Sequence, residues 1–226
     1  VVLGLTFFLT KLITGRTRDA LLLVILMGIM SLTAASELGT QQWVERILGA
    51  SGAQPLLILG LVTGIMAVGR YFAGPLIHAL NPLGVLLFGA VVTSLGLFML
   101  ATLTGPMLYL AAVVFAVGVC YFWPTMIGVT AEYAPRSGAL GMSLVGAAGM
   151  FGLTIWNPVI GGWIDSARKT AEESGLTGGA VELAAGQGAL SKLVALPVIL
   201  IVCFAVMFLL RKRIIADTGN LETTHD

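Results

Sequence analysis

An ionisable side chain stands inside an apolar run at Glu37, in the stretch Ser31-Leu-Thr-Ala-Ala-Ser-Glu37-Leu-Gly-Thr-Gln41-Gln42-Trp43. A charge inside a membrane span costs roughly 2.5–3.5 kcal/mol on insertion scales, so its position calls for a chemical reason. Three roles suit a carboxyl there: a proton carrier, a direct acceptor for a solute hydroxyl, or the counter-charge of a cation. A structural carboxylate at the water interface is the plain alternative, because Glu37 lies only a few residues below the outer helix end. Gln41 follows four positions later and shares its helical face. Gln41 and Gln42 both donate and accept hydrogen bonds, which suits a polar solute or a helix end dipping into water. Trp43 fits an interfacial belt.

Further along, Tyr121, Phe122 and Trp123 precede Pro124 within an apolar run. An indole or phenol there can stack on a sugar ring and hydrogen-bond its rim, and the same residues can simply pack a core. Pro124 removes one helical hydrogen bond and predicts a kink that can act as a hinge. Asn157, between Trp156 and Pro158, is a buried amide that either joins helices or reads a solute. Gly146, Gly149 and Gly152 recur every three residues and predict a flat face for close helix approach. Cys120 and Cys203 sit in apolar runs and read as small buried hydrophobes, with no disulfide framework and no metal set. His78 and His225 have no neighbours that would make a metalloenzyme or a nucleophile–base pair, so the expectation is no enzyme and no cofactor.

These side chains must be positioned by membrane helices. Hydrophobic residues make up 58% of the chain and charged residues 10%. Mean hydropathy is +0.99. Soluble domains average about 25% charged, so lipid is the expected solvent for most of this surface. A net charge of +1 without a basic, aromatic-laced stripe points away from nucleic acid. Six stretches, near 20–44, 55–78, 83–104, 107–131, 139–163 and 190–210, are long enough to span a bilayer. Gly/Pro punctuation separates them, at Gly49–Gly52, Asn81-Pro82, Gly105-Pro106 and Pro135–Gly138, and the polar segment 165–189 reads as the largest external loop. The all-helical fold class therefore divides into 1–19, the end of a preceding helix and a linker; 20–210, the six-helix bundle; and 211–226, a polar tail. Residues 1–10 read as the tail of a helix or an interfacial helix, and the opening does not resemble a cleavable signal peptide.

With six spans both ends share one side. That side carries Lys11, Arg16, Arg18, Arg70, Arg136, Arg211, Lys212 and Arg213, against Arg46, Arg168, Lys169 and Lys192 opposite. Eight against four predicts cytoplasmic termini.

The order of motifs is similar to that of the C-terminal half of major facilitator superfamily transporters. Ser36-Glu37-Leu-Gly-Thr-Gln-Gln-Trp43 resembles the seventh helix of that family, and Gly69-Arg70-Tyr-Phe-Ala-Gly74-Pro-Leu76 resembles its G-R-x-x-x-G signature at the close of helix eight. Tyr121-Phe-Trp123-Pro124-Thr with Ala131-Glu132-Tyr-Ala-Pro135-Arg136 resembles helix ten and its cytoplasmic exit. Gly146, Gly149, Gly152, Asn157-Pro158 and Gly161-Gly162-Trp-Ile-Asp165 resemble helix eleven. The resemblance covers 20–210 in order. It departs from the family after Arg70, where Ile77-His78-Ala-Leu-Asn81-Pro82 lacks the usual acid and basic cluster.

The resemblance implies secondary transport of a small polar, sugar-like solute by alternating access in a bacterial-type inner membrane. It places Glu37, Gln41, Gln42, Tyr121, Trp123 and Asn157 at the solute and makes Glu37 the proton-coupling group. Arg70, Glu132 and Arg136 become gating residues, with Arg70 pairing to Glu132, although snorkelling anchors explain both arginines equally simply. The expected partners are the bilayer and a second six-helix half, from an N-terminal part of the chain or a second copy. A non-transporting receptor or assembly subunit is the other reading.

Overall fold

The computed structural model describes residues 6, 8, 10–12, 14, 15 and 17–219. Residues 1–5, Arg16 and the end of the tail from 220, His225 included, lie outside the described residues. Among the described residues the chain is helical throughout, with no strand.

The first long helix comprises α1 (Thr17–Ala34), a π-helical turn (Ala35–Gly39) and α2 (Thr40–Leu48). The wide turn has a local cause. Thr33, Ser36 and Thr40 each donate a hydroxyl to a carbonyl one turn back, Ile29, Leu32 and Ser36 respectively, at 2.9–3.1 Å. Such bonds compete with the backbone ladder and bend helices.

After Pro55 at its first turn, α3 runs Pro55–Tyr71, and α4 runs Ala73–Thr102. Asn81, with φ 56° and ψ 162°, splits α4 into two arms just before Pro82. Its side chain caps the second arm, accepting from the Gly84 amide at 3.0 Å. α5 (Met107–Val119) and α6 (Phe122–Tyr133) form one span broken at Cys120-Tyr121. A short 3₁₀ turn at Pro135–Ser137 leads to α7 (Gly138–Glu173), then α8 (Gly179–Leu193) and α9 (Ala195–Gly219) complete the chain.

Among the described residues five helices are long and apolar enough to cross a membrane, and α3 is a shorter apolar helix. The second of the six expected stretches is thus 17 residues of α3 plus the first arm of α4, not one uninterrupted span. The loop expected over 165–189 is mostly helix. α7 runs on to Glu173, and only Ser174–Gly178 separate it from α8. At 36 residues α7 is about 54 Å long, well beyond a bilayer core of about 30 Å. Its polar end carries charge pairs beside buried Ile164 and Ala171: Arg168 to Glu182 of α8 at 2.5 Å and Arg46 of α2 to Asp165 at 2.8 Å.

The turns after α2 and after α4 lie side by side, with the Gly105 amide donating to the Ser51 carbonyl at 2.8 Å. α3 leaves that end of the molecule and α4 returns to it, so the break at Asn81 marks the opposite end. The buried core gathers Leu86, Leu97, Phe115, Phe122, Met126 and Phe204. Outside it, Leu21, Ile25, Phe88, Leu95, Phe151 and Val202 are exposed, an apolar exterior suited to lipid.

The closest helix approach is between α4 and α5, where glycines remove the side chains. A Cβ on Gly96 would lie 2.5 Å from the Phe115 backbone, and one on Gly118 would lie 2.4 Å from the Thr93 nitrogen. Gly118→Ala is therefore expected to lower stability by about 1–3 kcal/mol, read as an earlier thermal unfolding midpoint in detergent. Of the glycines expected to form a flat face on α7, Gly149 and Gly152 do face α1, against Met30 and Ser31. Gly146 instead meets Ile127 of α6 at an ordinary 3.8 Å.

Candidate functional site

Pro124 has no N–H, so the Cys120 carbonyl four residues earlier loses its helical donor. The helix breaks there, and Tyr121 adopts φ −104°, ψ 0°. The freed carbonyl is taken up from another helix: Arg70 Nε of α3 donates to Cys120 O at 2.8 Å. Tyr121 adds the reciprocal link, its hydroxyl donating to Gly69 O at 2.9 Å. The two helices meet this closely because residue 69 is glycine, where a Cβ would sit 2.6 Å from Cys120 Sγ.

Fixed by that carbonyl, the Arg70 guanidinium reaches the π-helical turn. Arg70 Nη2 lies 3.0 Å from Glu37 Oε1, a hydrogen-bonded ion pair. The partners differ in exposure: the Glu37 side chain is 3% exposed and that of Arg70 39%. Glu37 Oε2 has no hydrogen-bond partner among the described residues. Glu37 is the one charged residue that is buried among them.

Glu37 and Arg70 meet at the level of Cys120, Glu37 from the π-helical turn and Arg70 from the last turn of α3. Cys120 lies midway along Met107–Tyr133, about 20 Å from either end of that span. Glu37 is about 16 Å below the end of α2, and Arg70 about 22 Å below the start of α3. The site thus combines a π-helical turn, a proline break and a partly open ion pair. Irregular backbone at membrane depth is tolerated where protein buries it or where it lines a cavity.

The expected gate between Arg70 and Glu132 is not formed. Arg70 does stand in the last turn of α3, but its guanidinium is engaged by Glu37 and Cys120. Glu132 stands twelve residues beyond Cys120, about 18 Å further along the span, where it is exposed near the exposed Arg136.

The remaining expected site residues fall into two groups. Gln41 keeps the face of Glu37 and points to α3, its amide 3.6 Å from Met66 Sδ. Gln42 faces the other way. Its carbonyl oxygen accepts from Asn157 Nδ2 at 2.8 Å, while Asn157 Oδ1 accepts from Trp43 Nε1 at 3.3 Å. Arg46 lies over the Trp43 ring at 5.6 Å and pairs with Asp165, extending this contact between α2 and α7. Asn157 therefore joins helices. Asn157→Ala is expected to cost about 1 kcal/mol, seen as a small drop in thermal midpoint. Trp123 rests against α7, with its ring where a Gly149 Cβ would come within 3.1 Å. Tyr121 is held by Gly69, so the site does contain one of the two aromatic residues expected in it.

What sequence reasoning overlooked is the pairing of Arg70 with Glu37 and the Cys120 carbonyl that anchors its guanidinium. The signal for the carbonyl was present: a proline in a membrane helix always frees the acceptor four residues before it. No family model matches the chain, and no curated protein or solved structure is similar to it.

Proposed function

We propose that this chain is one six-helix bundle of a secondary transporter of the major facilitator type, moving a small polar organic solute by alternating access. The observation that carries the reading is the Glu37–Arg70 ion pair at mid-span. A buried ion pair contributes little net stability once desolvation is counted, so its retention in an apolar bundle argues for a working role. Interrupted helices around it, at Ala35–Gly39 and Cys120-Tyr121, are the form that transporter sites near the midplane take.

In this reading the second of six passes is α3 with the first arm of α4. Both ends of the segment face the cytoplasm of a bacterial-type plasma membrane. Removing Arg70 from the loop count leaves seven cations against four, still favouring that orientation. A second bundle, from the same or another chain, closes the other side of the site. Glu37 is the proton-coupling group, and release of its pair with Arg70 is the event that accompanies solute binding. The glutamine and aromatic groups that implied a sugar are largely engaged between helices, which leaves the Arg70 edge to set the solute's chemistry.

Reconstitution of the intact protein into proteoliposomes tests this. Radiolabelled sugars, polyols and organic acids are offered with and without an inward proton gradient. Saturable uptake of at least one solute, accumulated only with the gradient, is the expected result. Absence of saturable uptake across the panel would contradict the reading and leave a receptor or assembly subunit in its place.

A further inference from the structure

We propose that Arg70 recognises a small organic carboxylate, which takes the place of Glu37 on the guanidinium while Glu37 takes up one proton. This deepens the transport reading above and rests on it.

Three features of the site carry the inference. First, the apo site already holds a carboxylate, that of Glu37, and holds it by a single hydrogen bond with Oε2 unpartnered. An incoming carboxylate that engages two N–H groups of the planar guanidinium is a better-satisfied occupant. Second, the guanidinium has five N–H donors, and its structural contacts are one through Nε and one through Nη2. Nε stays anchored on Cys120 O during an exchange, so Arg70 keeps its place. Third, the edge of Arg70 is reachable. Thr63 and Ala67 of α3 are exposed at helical spacing along its strip, and both are short.

Charge balance then dictates the proton. The resting site is neutral, one carboxylate against one guanidinium. Adding an anion alone would leave two carboxylates facing one cation in a poorly hydrated place, at a large desolvation cost. Adding the anion with one proton keeps the site neutral: the Glu37 carboxylate becomes a carboxylic acid, and the Arg70 cation pairs with the solute carboxylate. No bond other than that O–H is made or broken. No nearby group competes for the role. α3 presents Arg70, and the α5–α6 break presents the Cys120 thiol and the Tyr121 phenol. α7 carries no titratable residue between Gly138 and Ile164, and α9 carries only the Cys203 thiol between Ala195 and Leu210. The exchange implies one proton per monoanion, and hence movement that responds to a pH difference and not to membrane potential.

Calorimetric titration of the intact protein in nanodiscs, with lactate and benzoate and with the corresponding amides, tests this. Run at about pH 6 and about pH 8 in buffers of different ionisation enthalpy, it reports affinity and proton uptake together. The expected result is that the acids bind and the amides do not. Affinity should be at least tenfold higher at the lower pH, with about one proton taken up per acid bound. Glu37→Gln should bind the acids with neither pH dependence nor proton uptake. Arg70→Gln should lose acid binding; should it fail to fold, the Glu37→Gln/Arg70→Gln pair, neutral at both positions, takes its place with the same expectation. Binding of amides as tight as acids, or pH dependence persisting in Glu37→Gln, overturns the inference. So does gradient-driven uptake confined to neutral solutes, which leaves the transport reading standing. Absence of all binding and all uptake removes both.

Discussion

Arg70→Ala is expected to lower folding stability by about 3 kcal/mol and to abolish solute accumulation. The figure follows from what the substitution leaves behind. Glu37, 3% exposed, would be left in a buried place without its cation, and the Cys120 carbonyl would lose the one side-chain donor it has among the described residues. Breaking a buried ion pair from one side costs about 3–5 kcal/mol, and the low end applies here because Arg70 itself is partly solvated. Adding Glu37→Gln should return most of the lost stability, since the stranded charge is gone, without returning accumulation. Unfolding in mild detergent, followed by tryptophan fluorescence for the two single variants and the double variant, gives the coupling between them. A coupling near zero would mean that the pair does not exist in the membrane-embedded protein.

The second large effect is expected at Pro124, in a direction that separates stability from function. Pro124→Ala supplies an N–H to the Cys120 carbonyl, restoring a helical bond worth up to about 3 kcal/mol with the clash of the ring removed. Arg70 Nε then loses its acceptor, and the α5–α6 break closes. Accumulation should fall at least about tenfold, a loss of about 1.4 kcal/mol in the rate-determining step, while the unfolding midpoint holds or rises. A variant that is less stable and equally active would show that the break is packing alone.

Much of this was legible in the residues. Apolar length and Gly/Pro punctuation located the all-helical character and most of the turns, though several helices run up to ten residues beyond the expected stretches, and Glu37 announced itself as a charge in an apolar run. Proline at 124 forecast the break in its span. Two things were less visible. Arg70 read as a helix-end anchor because Tyr71-Phe72 and the Pro75 that follows look like a terminus. It does stand in the last turn of α3, with Phe72 at φ −95°, ψ 17° separating it from α4; what was hidden is that its guanidinium turns to Glu37, and that α4 breaks again at Asn81 with a positive φ. The second was the length of α7: Asp165, Arg168, Lys169 and Glu172 look like loop residues, yet they are helical, and the first two pair with Arg46 and Glu182. Neither pairing has a local sequence signature, since the partners come from distant segments. The close α4–α5 seam at Gly96 and Gly118 was hidden for the same reason: a glycine's neighbour is a matter of tertiary register.

In the proposed mechanism Glu37 leaves Arg70 as the solute binds and carries the proton that drives accumulation. Proteoliposomes containing wild type or Glu37→Gln, assayed in parallel for gradient-driven accumulation and for exchange at equal solute on both sides, test it most directly. Exchange retained by Glu37→Gln with accumulation lost is the predicted result. Accumulation undiminished in Glu37→Gln would contradict it and reduce the mid-span pair to a structural contact.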